Sequence, residues 1–244
     1  NHGLFDIVRG ATKRLISNST GAESTQSQTL TAFNSDGFDL GTDSAYNGNT
    51  YPVVGWAWDA GSSTVSNTDG SITSNVRANQ TAGFSIVTHT GNGTNPSSIG
   101  HGLNSAPVFY ITKSRDSTTD WVVSTTVADG THDFLDLNNT QAIGAFDAGL
   151  PTSSVFYVSG STTNKNGDDY VTYCWTPIKG YSAFGTYTGN GSADGPFVYT
   201  GFRPALIMVK RTDSTGNWVM MDSSRDEYNY SESYLQANLA NIEG

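Results

Sequence analysis

Paired carboxyl groups are the first residues to consider as a source of chemistry, because glycoside hydrolysis needs two of them beside the scissile bond. Only four glutamates occur, at positions 23, 227, 232 and 243. The most conspicuous acidic pair, Asp168-Asp169, follows the turn-forming dipeptide Asn166-Gly167, and Asn49-Thr50 stands at the matching position of a similar segment. We therefore interpret Asp168 and Asp169 as residues of a solvated turn that could at most contact a ligand, and we predict no catalytic residues.

Cysteine and serine nucleophiles lack the neighbours that would activate them. Cys174 is the only cysteine and has no histidine close to it in sequence, and the chain contains no Gly-x-Ser-x-Gly motif. Asp129 and Asp133 flank His132, and we interpret them, like the acidic pair, as residues of a polar turn. A single cysteine also excludes a disulfide within the chain, which is consistent with assembly in a reducing cytoplasm.

The spacing of the histidines and aspartates gives little support for a metal site. The four histidines, at 2, 89, 101 and 132, are scattered. His89 and His101 are replaced by Tyr187 and Tyr199 at the matching positions 98 residues later, which favours a shared half-buried aromatic position over metal ligation. Asp69 and the acidic pair offer loop oxygens of the kind that bind calcium, but no EF-hand spacing surrounds them. We predict neither a metal nor a cofactor.

A binding surface is the remaining class of site. Carbohydrate recognition uses aromatic faces beside hydroxyl, amide and carboxylate groups, and this chain is rich in all of them. Most of its five tryptophans match one another between similar segments, which favours positions in the core. Trp58 differs, because Pro177 stands at its matching position. We therefore expect Trp58 to be the best surface candidate for ligand binding.

The elements that must position these residues recur along the chain at a nearly constant spacing, which is typical of repeat proteins. Segments of the central part return 97 or 98 residues later, and the N-terminal region matches later segments as well. The matched segments are Thr88–Gly93 with Thr186–Gly191, Ala106–Lys113 with Arg203–Lys210, Asp120–Val123 with Asn217–Met220, Tyr51–Trp56 with Tyr170–Trp175, and Asp6–Arg9 with Asp222–Arg225. We interpret the chain as part of a tandem array of one β-rich repeat of about 97 residues.

This periodicity predicts four regions of the chain. Residues 1–61 are the C-terminal half of a first repeat, 62–82 a linker or a small hairpin, 83–180 a complete β-sandwich repeat, and 181–244 the N-terminal part of a third. The two terminal copies are expected to be incomplete, so both ends of the chain are expected to be cuts. Another phase of the repeat, with units divided elsewhere in the cycle, stays open.

Composition predicts an all-β fold of jelly-roll-like sandwiches. Charged residues are 14% of the chain, where soluble domains average about 25%, and Ser, Thr, Asn and 27 glycines take their place. Aromatic residues, at 11%, suffice for a core that a disordered chain lacks. Val108–Lys113 and Ala205–Lys210 are apolar on both strand faces, as expected inside a sandwich. Asn47-Gly48 and Asn166-Gly167 predict tight hairpin turns, as does Gly-Asn-Gly at 91–93 and 189–191, while residues 231–239 offer only a marginal helix.

The charge of the chain excludes two classes of partner. A net charge of −10 and a pI near 4.6 disfavour nucleic acid, because neutralising phosphates requires clustered Lys and Arg. The same charge disfavours anionic membrane surfaces. No apolar run approaches the roughly 20 residues of a membrane span, so we expect no membrane insertion.

Several long motifs resemble one known family. These are Thr186–Pro204, Lys210–Asp213, Tyr170–Trp175 and Phe5–Lys13, and the similarity covers nearly the whole chain. They resemble the repeated β domain of large, tail-fibre-like virion structural proteins of marine phages, especially cyanophages. The resemblance implies a place in the virion tail or an appendage, extracellular after release, in contact with other virion proteins. It also implies a homo-oligomer, with a trimer as one possibility, and it carries no catalytic residues to transfer.

Two hypotheses from different classes follow. The first is a non-enzymatic tail fibre or virion appendage, in which stacked β domains extend from the particle and repeated loops bind host-surface glycans with avidity. The second is an extracellular polysaccharide depolymerase of a tailspike type, which requires a catalytic carboxylate. We prefer the first, because the sequence presents a repeat and an acidic polar surface without a recognisable catalytic motif.

Overall fold

The computed structural model describes residues 2–228, 231–241 and 243–244 of the chain. They form short β-strands and two short helices, which confirms the predicted all-β class. In chain order the elements are β1 (Gly3–Leu4), β2 (Lys13–Ile16), β3 (Ser24–Thr25), β4 (Leu30–Phe33), β5 (Phe38–Leu40), α1 (Ser44–Asn47), β6 (Thr64–Asn67), β7 (Ser74–Asn79), β8 (Phe84–Thr90), β9 (Ser97–Gly100), β10 (Phe109–Ser114), β11 (Val122–Thr125), β12 (Asp133–Asp136), β13 (Gly144–Ala145), β14 (Val155–Val158), α2 (Gly160–Asn164), β15 (Asp169–Trp175), β16 (Leu206–Val209), β17 (Val219–Asp222) and β18 (Leu235–Gln236).

An antiparallel sheet of eight strands forms the centre of the molecule, in the order β13-β12-β11-β10-β15-β8-β7-β6. Its longest pairing joins β15 to β8, from Asp169 opposite Thr90 to Trp175 opposite Phe84. β10 pairs with the other edge of β15. These strands are rich in valine, isoleucine, threonine and aromatic residues, which pack well on a pleated surface.

Apolar side chains cover both faces of this central sheet. Along β10, Ile111 packs into a first cluster and Tyr110 into a second, because successive residues of a strand point to opposite faces. This arrangement confirms the prediction that the strand is apolar on both faces inside a sandwich. The first face packs against N-terminal and C-terminal segments, and the second is covered by the two-stranded sheet of β9 and β14.

Three hairpins of similar construction meet around the first cluster: β1 with β2, β11 with β12, and β17 with β18. The residue before the first strand of each hairpin donates a ring N–H to a backbone carbonyl of another hairpin or of the segment that follows it. Trp121 Nε1 donates to Ile16 O at 3.0 Å, Trp218 Nε1 to Asp136 O at 2.9 Å, and His2 Nε2 to Leu239 O at 2.7 Å. The β11–β12 hairpin thus donates to β1–β2, β1–β2 donates to the segment after β17–β18, and β17–β18 donates to β11–β12. The three bonds therefore close a ring.

Residues 62–82, predicted to be a linker or a small hairpin, form the hairpin β6–β7. This hairpin is not a separate unit. β7 pairs with β8 from Ser74 opposite His89 to Asn79 opposite Phe84, so the central sheet continues across the predicted boundary at residue 83. The predicted division of the chain into repeats stays a prediction, with β6 and β7 belonging to the sheet of the central unit.

The predicted glycine turns differ in their geometry. Gly93 and Gly191 have φ angles of +72° and +68°, and Gly167 has +83°, as the turn prediction requires. Gly48 does not, because it follows α1 as its C-cap with φ −69°. Asn166-Gly167 likewise connects α2 to β15 and does not join two strands of one sheet. The prediction of tight hairpins is therefore wrong at both Asn-Gly pairs, which end or follow short helices. It is also wrong at Gly-Asn-Gly 91–93, which leads from β8 to β9 in another sheet, and at 189–191, which lies outside the strands.

Two further segments depart from the sequence expectations. Residues 231–239, considered as a marginal helix, contain the short strand β18 instead. Tyr51–Trp56, which matches Tyr170–Trp175 in β15, belongs to no strand. Among the described residues, no helix is long and apolar enough to cross a membrane.

Candidate functional site

Trp58 lies at one end of the central sheet in a cluster of aromatic rings. Its ring contacts Trp175 at 6.1 Å between centroids, edge to face, and Phe84 at 6.4 Å. These two residues are directly opposite each other in β15 and β8. Because Trp58 packs against ordered strands and is still 43% exposed, it presents a positioned aromatic surface to solvent.

Two polar residues stand beside Trp58 that the sequence analysis did not single out. Asp59 follows it in the chain and is exposed. Its Oδ2 accepts a hydrogen bond from Asn79 Nδ2 at 3.0 Å, and its Oδ1 accepts from the backbone N–H of Gly61 at 2.7 Å. Asn79 is the residue of β7 opposite Phe84, on which Trp58 packs. An indole, a carboxylate and an amide therefore lie together at this corner of the sheet.

The Asp168-Asp169 pair is bound into the structure. Asp168 is buried, and its carboxylate accepts hydrogen bonds from Lys165 Nζ at 3.0 Å and Ser114 Oγ at 3.2 Å. Hydrogen bonds from Ser117, Lys165 and Ser114 hold the pKa of Asp168 below its usual value, although burial acts in the opposite direction. Its environment therefore differs from the solvated turn expected from the sequence.

Asp169 has its own partners at the start of β15. Its Oδ1 accepts from Thr90 Oγ1 at 2.7 Å, and its backbone N–H donates to Asp116 Oδ2 at 2.6 Å. Asp169 and Trp175 are the first and last residues of β15, about 20 Å apart at the rise of an extended strand. Since Trp58 packs on Trp175, the structure does not bring Trp58 and the acidic pair into one site.

His132, flanked by Asp129 and Asp133, has both ring nitrogens engaged. Its Nε2 lies 2.6 Å from Tyr110 Oη, and its Nδ1 lies 3.0 Å from Gly149 O. Burial lowers the pKa of His132. With one ring nitrogen on a tyrosine hydroxyl of β10 and the other on a backbone carbonyl between β13 and β14, this histidine links these two parts of the fold and has no free nitrogen for a substrate.

His89 and His101 are buried, where the sequence analysis expected half-buried aromatic positions. His89 stacks on Tyr170 with 5.2 Å between ring centroids and an angle of 11° between the planes. Burial lowers the pKa of His89 to about 4. His101 Nε2 lies 3.1 Å from Thr152 O, and its Nδ1 accepts from the backbone N–H of Leu103. Both rings therefore lie in the interior of the fold and present no surface to a ligand.

A buried ion-pair network joins Arg9 to Asp6 and Glu23, and the sequence showed its Asp-x-x-Arg motif but not the pairing. The guanidinium of Arg9 donates to Asp6 Oδ2 at 2.5 Å, to Glu23 Oε2 at 2.9 Å and to Leu4 O at 3.1 Å. Tyr173 Oη donates to the same Asp6 carboxylate at 2.8 Å. These bonds satisfy the buried charges, which is the condition for burying them.

The matching segment at 222–225 repeats the main bonds of this network, without counterparts among the described residues of the bonds from Arg9 to Lys13 O and to Tyr173 Oη. Arg225 donates to Asp222 Oδ2 at 2.7 Å, to Glu243 Oε1 at 2.5 Å and to Met220 O at 3.2 Å. The indole N–H of Trp56 donates to Asp222 Oδ2 at 3.2 Å, as the Tyr173 hydroxyl does to Asp6. The signal in the sequence is Asp-x-x-Arg with a glutamate later in the chain, and its role is structural.

The part of the chain that the structure describes contains no arrangement of side chains suited to binding a metal ion or to activating a thiol. No group of three or more His, Cys, Asp and Glu side chains is placed to hold a metal ion there, Asp69 and the acidic pair included. Cys174 is fully buried in β15, and burial raises the pKa of its thiol. A thiol held in its neutral form is a poor nucleophile and acts here as a small apolar group.

Comparison with known proteins identifies one family. The family model described as Domain of unknown function (DUF7483) matches residues 1–244. No curated protein and no solved structure matches the chain.

Proposed function

The chain belongs to the family described as Domain of unknown function (DUF7483), and for this member we propose a non-enzymatic structural role in a virion appendage of the tail-fibre kind that attaches to host-surface glycans. The place in a phage virion rests on the resemblance of Thr186–Pro204 and the other long motifs to tail-fibre-like proteins. The attachment role rests on one corner of the structure.

The observation that carries glycan binding is the grouping of Trp58, Asp59 and Asn79. Sugars present apolar C–H faces and hydroxyl groups, which an indole face, a carboxylate and an amide match in chemistry. Trp58 is held by Trp175 and Phe84, so little side-chain entropy is lost when a ligand binds to it. The Trp58 corner, as we call these three residues, therefore combines exposure with a fixed geometry.

The bonding of the titratable residues supports the non-enzymatic part of the proposal. Asp168, His132 and Arg9 each use their polar atoms in hydrogen bonds within the fold. A general acid or base must reach the substrate with the atom that transfers the proton. Side chains whose polar atoms tie loops together contribute to stability, which is the property that an extracellular appendage requires.

The glycan proposal is tested by the Trp58→Ala variant. Polysaccharide purified from the host surface is immobilised, and binding of the wild-type chain and the variant is measured by biolayer interferometry. We expect Trp58→Ala to bind at least about tenfold more weakly, which corresponds to about 1.4 kcal/mol, because the variant lacks the aromatic surface. Asp59→Asn is expected to weaken binding less, since the amide keeps an acceptor oxygen.

The matched control is Tyr228→Ala, which removes an aromatic side chain that is 83% exposed and outside the Trp58 corner. It is expected to bind as the wild type does. Equal binding by Trp58→Ala and wild type contradicts the assignment of the site. A wild-type chain that binds neither polysaccharide nor host cells leaves only the scaffold role, and release of new reducing ends from the polysaccharide favours the depolymerase hypothesis.

A further inference from the structure

His101 joins the two strands of the sheet that covers the second cluster. This cover sheet, formed by β9 and β14, packs Ile99, Phe156 and Val158 against the central sheet. His101 directly follows β9 and is completely buried. Its backbone N–H donates to Ser154 O at 3.2 Å, which extends the pairing of the two strands by one residue. The ring of His101 therefore lies where the chain leaves one strand of the cover sheet and enters the other.

The hydrogen bonds of the His101 ring require its neutral form. Its Nε2 lies 3.1 Å from the backbone carbonyl of Thr152, which can only accept, so Nε2 carries the ring proton. Its Nδ1 accepts from the backbone N–H of Leu103 at 3.1 Å, so Nδ1 is unprotonated. A second proton would turn Nδ1 into a donor that faces another donor. Protonation therefore breaks the bond to Leu103 and leaves a charge in the interior.

Leu103, the donor of that bond, is itself part of the second cluster. Gly102, between the two residues, has a φ angle of +70°, and a Cβ atom there would lie 2.7 Å from Cγ1 of Val76. The chain thus turns tightly against β7 and brings the Leu103 N–H to Nδ1 of His101. Loss of this bond therefore loosens a turn whose leucine fills the apolar layer below the cover sheet.

His89 places a second histidine in the same layer. It lies in β8 two residues after Val87, and therefore on the face of the second cluster. Its ring stacks on Tyr170, whose hydroxyl donates to Ser161 O in α2, the helix that follows β14. This helix contains no acidic residue that could pair with a charged ring. Protonation of His89 therefore also disfavours the closed layer.

Two carboxylates act against this effect without cancelling it. Asp69, in the turn between β6 and β7, favours the charged form of His101, and Asp169 favours that of His89. Burial has the larger effect at both rings and lowers the pKa of each. The other partners of the two rings are uncharged at neutral pH: Thr152, Leu103, Ser74 and Tyr170.

His132, the third buried histidine, differs from these two in its hydrogen bonds. Its Nδ1 faces Gly149 O, and its Nε2 faces Tyr110 Oη. A hydroxyl can accept as well as donate, and Tyr110 Oη also donates to Tyr157 O at 3.0 Å. A second proton on His132 therefore meets an acceptor at both nitrogens, which a second proton on His101 does not.

We propose that His101 is an acid-sensitive latch, and that protonation of His101 and His89 releases the cover sheet from a central sheet that stays folded. Such an opening is local, since one part of a protein can unfold at a lower free energy than the whole. It exposes the apolar residues of the second cluster to solvent. The residues involved lie between Asp69 and Tyr170, and the proposal does not depend on glycan binding.

The test is hydrogen–deuterium exchange of the whole chain at pH 7.5 and pH 5, expressed as protection factors to remove the slower intrinsic exchange in acid. We expect the protection of residues 97–104 and 152–158 to fall by at least about tenfold at pH 5, while β10 and β15 keep theirs. His101→Asn should show a loss at least about threefold smaller, because its side-chain oxygen can accept from the Leu103 N–H but binds no proton.

The double variant His89→Phe/His101→Asn should keep its protection at pH 5. His2→Gln is the matched control, because it removes a histidine near the first cluster and keeps a donor for Leu239 O, so it should lose protection as the wild type does. Each variant is judged by the ratio of its own two protection factors, which corrects for any loss of stability at pH 7.5. Equal ratios in the double variant and the wild type overturn the proposal.

A second measurement needs no variant of His101. Nuclear magnetic resonance of the ring nitrogens in the wild-type chain should show, at pH 7.5, a neutral His101 with its proton on Nε2. A charged ring at that pH, or a proton on Nδ1, contradicts the latch. A loss of protection at pH 5 that extends equally to β10 and β15 also overturns the proposal, because it reports unfolding of the whole protein.

Discussion

At the scale of the single side chain, burial changes the protonation of the histidines, and His89 shows this most clearly. His89 is buried in β8 and stacks on Tyr170. No hydrogen bond of good geometry reaches either ring nitrogen in the described part of the chain, although the backbone of Thr163 is close enough to favour the charged ring. Burial lowers its pKa to about 4, from 6.5 in the unfolded chain, while the nearby Asp169 acts in the opposite direction. The folded protein therefore holds this ring neutral.

This pKa predicts a loss of stability in mild acid. Between pH 6.5 and about 4 the unfolded chain binds a proton at His89 that the folded chain does not, so stability is full above pH 6.5 and falls as the pH decreases. From pH 7.5 to pH 5 the contribution of His89 is about 2 kcal/mol. Urea unfolding at both pH values should show that loss in the wild type, and His89→Phe should show a correspondingly smaller one.

His101 and His132 have lowered pKa values as well and contribute with the same sign in both proteins, so the difference between wild type and variant isolates His89. Tyr187→Phe, at the matching but exposed position, is the control and should leave the pH dependence unchanged. An identical loss of stability in His89→Phe and wild type contradicts the assignment of a neutral buried ring.

At the scale of the element, the hairpin β6–β7 shows how an inconspicuous segment becomes part of the core. Val76 of β7 is buried in the second cluster with Val87 and Ile99. Val65, opposite Val76 in β6, is 56% exposed. The hairpin thus extends the central sheet with one covered strand and one edge strand, which a linker does not.

Val76→Ala is predicted to destabilise the whole protein by about 2 kcal/mol, because it removes two methylene equivalents from a packed interior. The measurement is the free energy of unfolding from urea titration, followed by circular dichroism. Val65→Ala, the paired and exposed control, should change it by less than about 0.5 kcal/mol. Equal and negligible effects of the two variants would mean that residues 62–82 do not belong to the central sheet.

At the scale of the whole molecule, the ring of three hairpins joins the distant ends of the chain. His2 donates to Leu239 O, and Ser17 Oγ donates to Ala237 O at 2.8 Å. Trp218 links the C-terminal hairpin to the central sheet through Asp136 O. Since these contacts bury Trp218 and Ala237 in the first cluster, we expect the described regions to unfold as one cooperative unit.

Trp218→Phe tests this cooperativity, because it keeps an aromatic ring but removes the indole N–H. The carbonyl of Asp136 loses its buried donor, which should reduce the free energy of unfolding by about 1 to 3 kcal/mol. Circular dichroism and tryptophan fluorescence should still report a single, coincident transition at lower urea. Two separated transitions, with the central sheet unchanged, would show that the hairpins fold independently. Trp58→Phe, which alters a 43% exposed indole outside the ring, is the control and should change the free energy of unfolding much less.

The sequence by itself determined the class of the fold and the recurrence of its motifs. The consecutive apolar residues of Val108–Lys113 predicted a strand buried on both faces, because successive side chains of a strand point to opposite faces. The match between Asp6–Arg9 and Asp222–Arg225 was equally visible, since both motifs close their first bonds within four residues. Trp58 was distinguished from the other tryptophans by its lack of an aromatic counterpart.

Only the tertiary structure decided which residues meet. Asn79 reaches Asp59 because β7 pairs with β8, and no local pattern encodes a pairing between strands. Asp168 was mistaken for a solvated residue because its partner Ser114 comes from β10, far away in the chain. Tyr51–Trp56 and Tyr170–Trp175 are similar in sequence, yet only the second has neighbouring strands on both sides, since a strand requires partners as well as propensity.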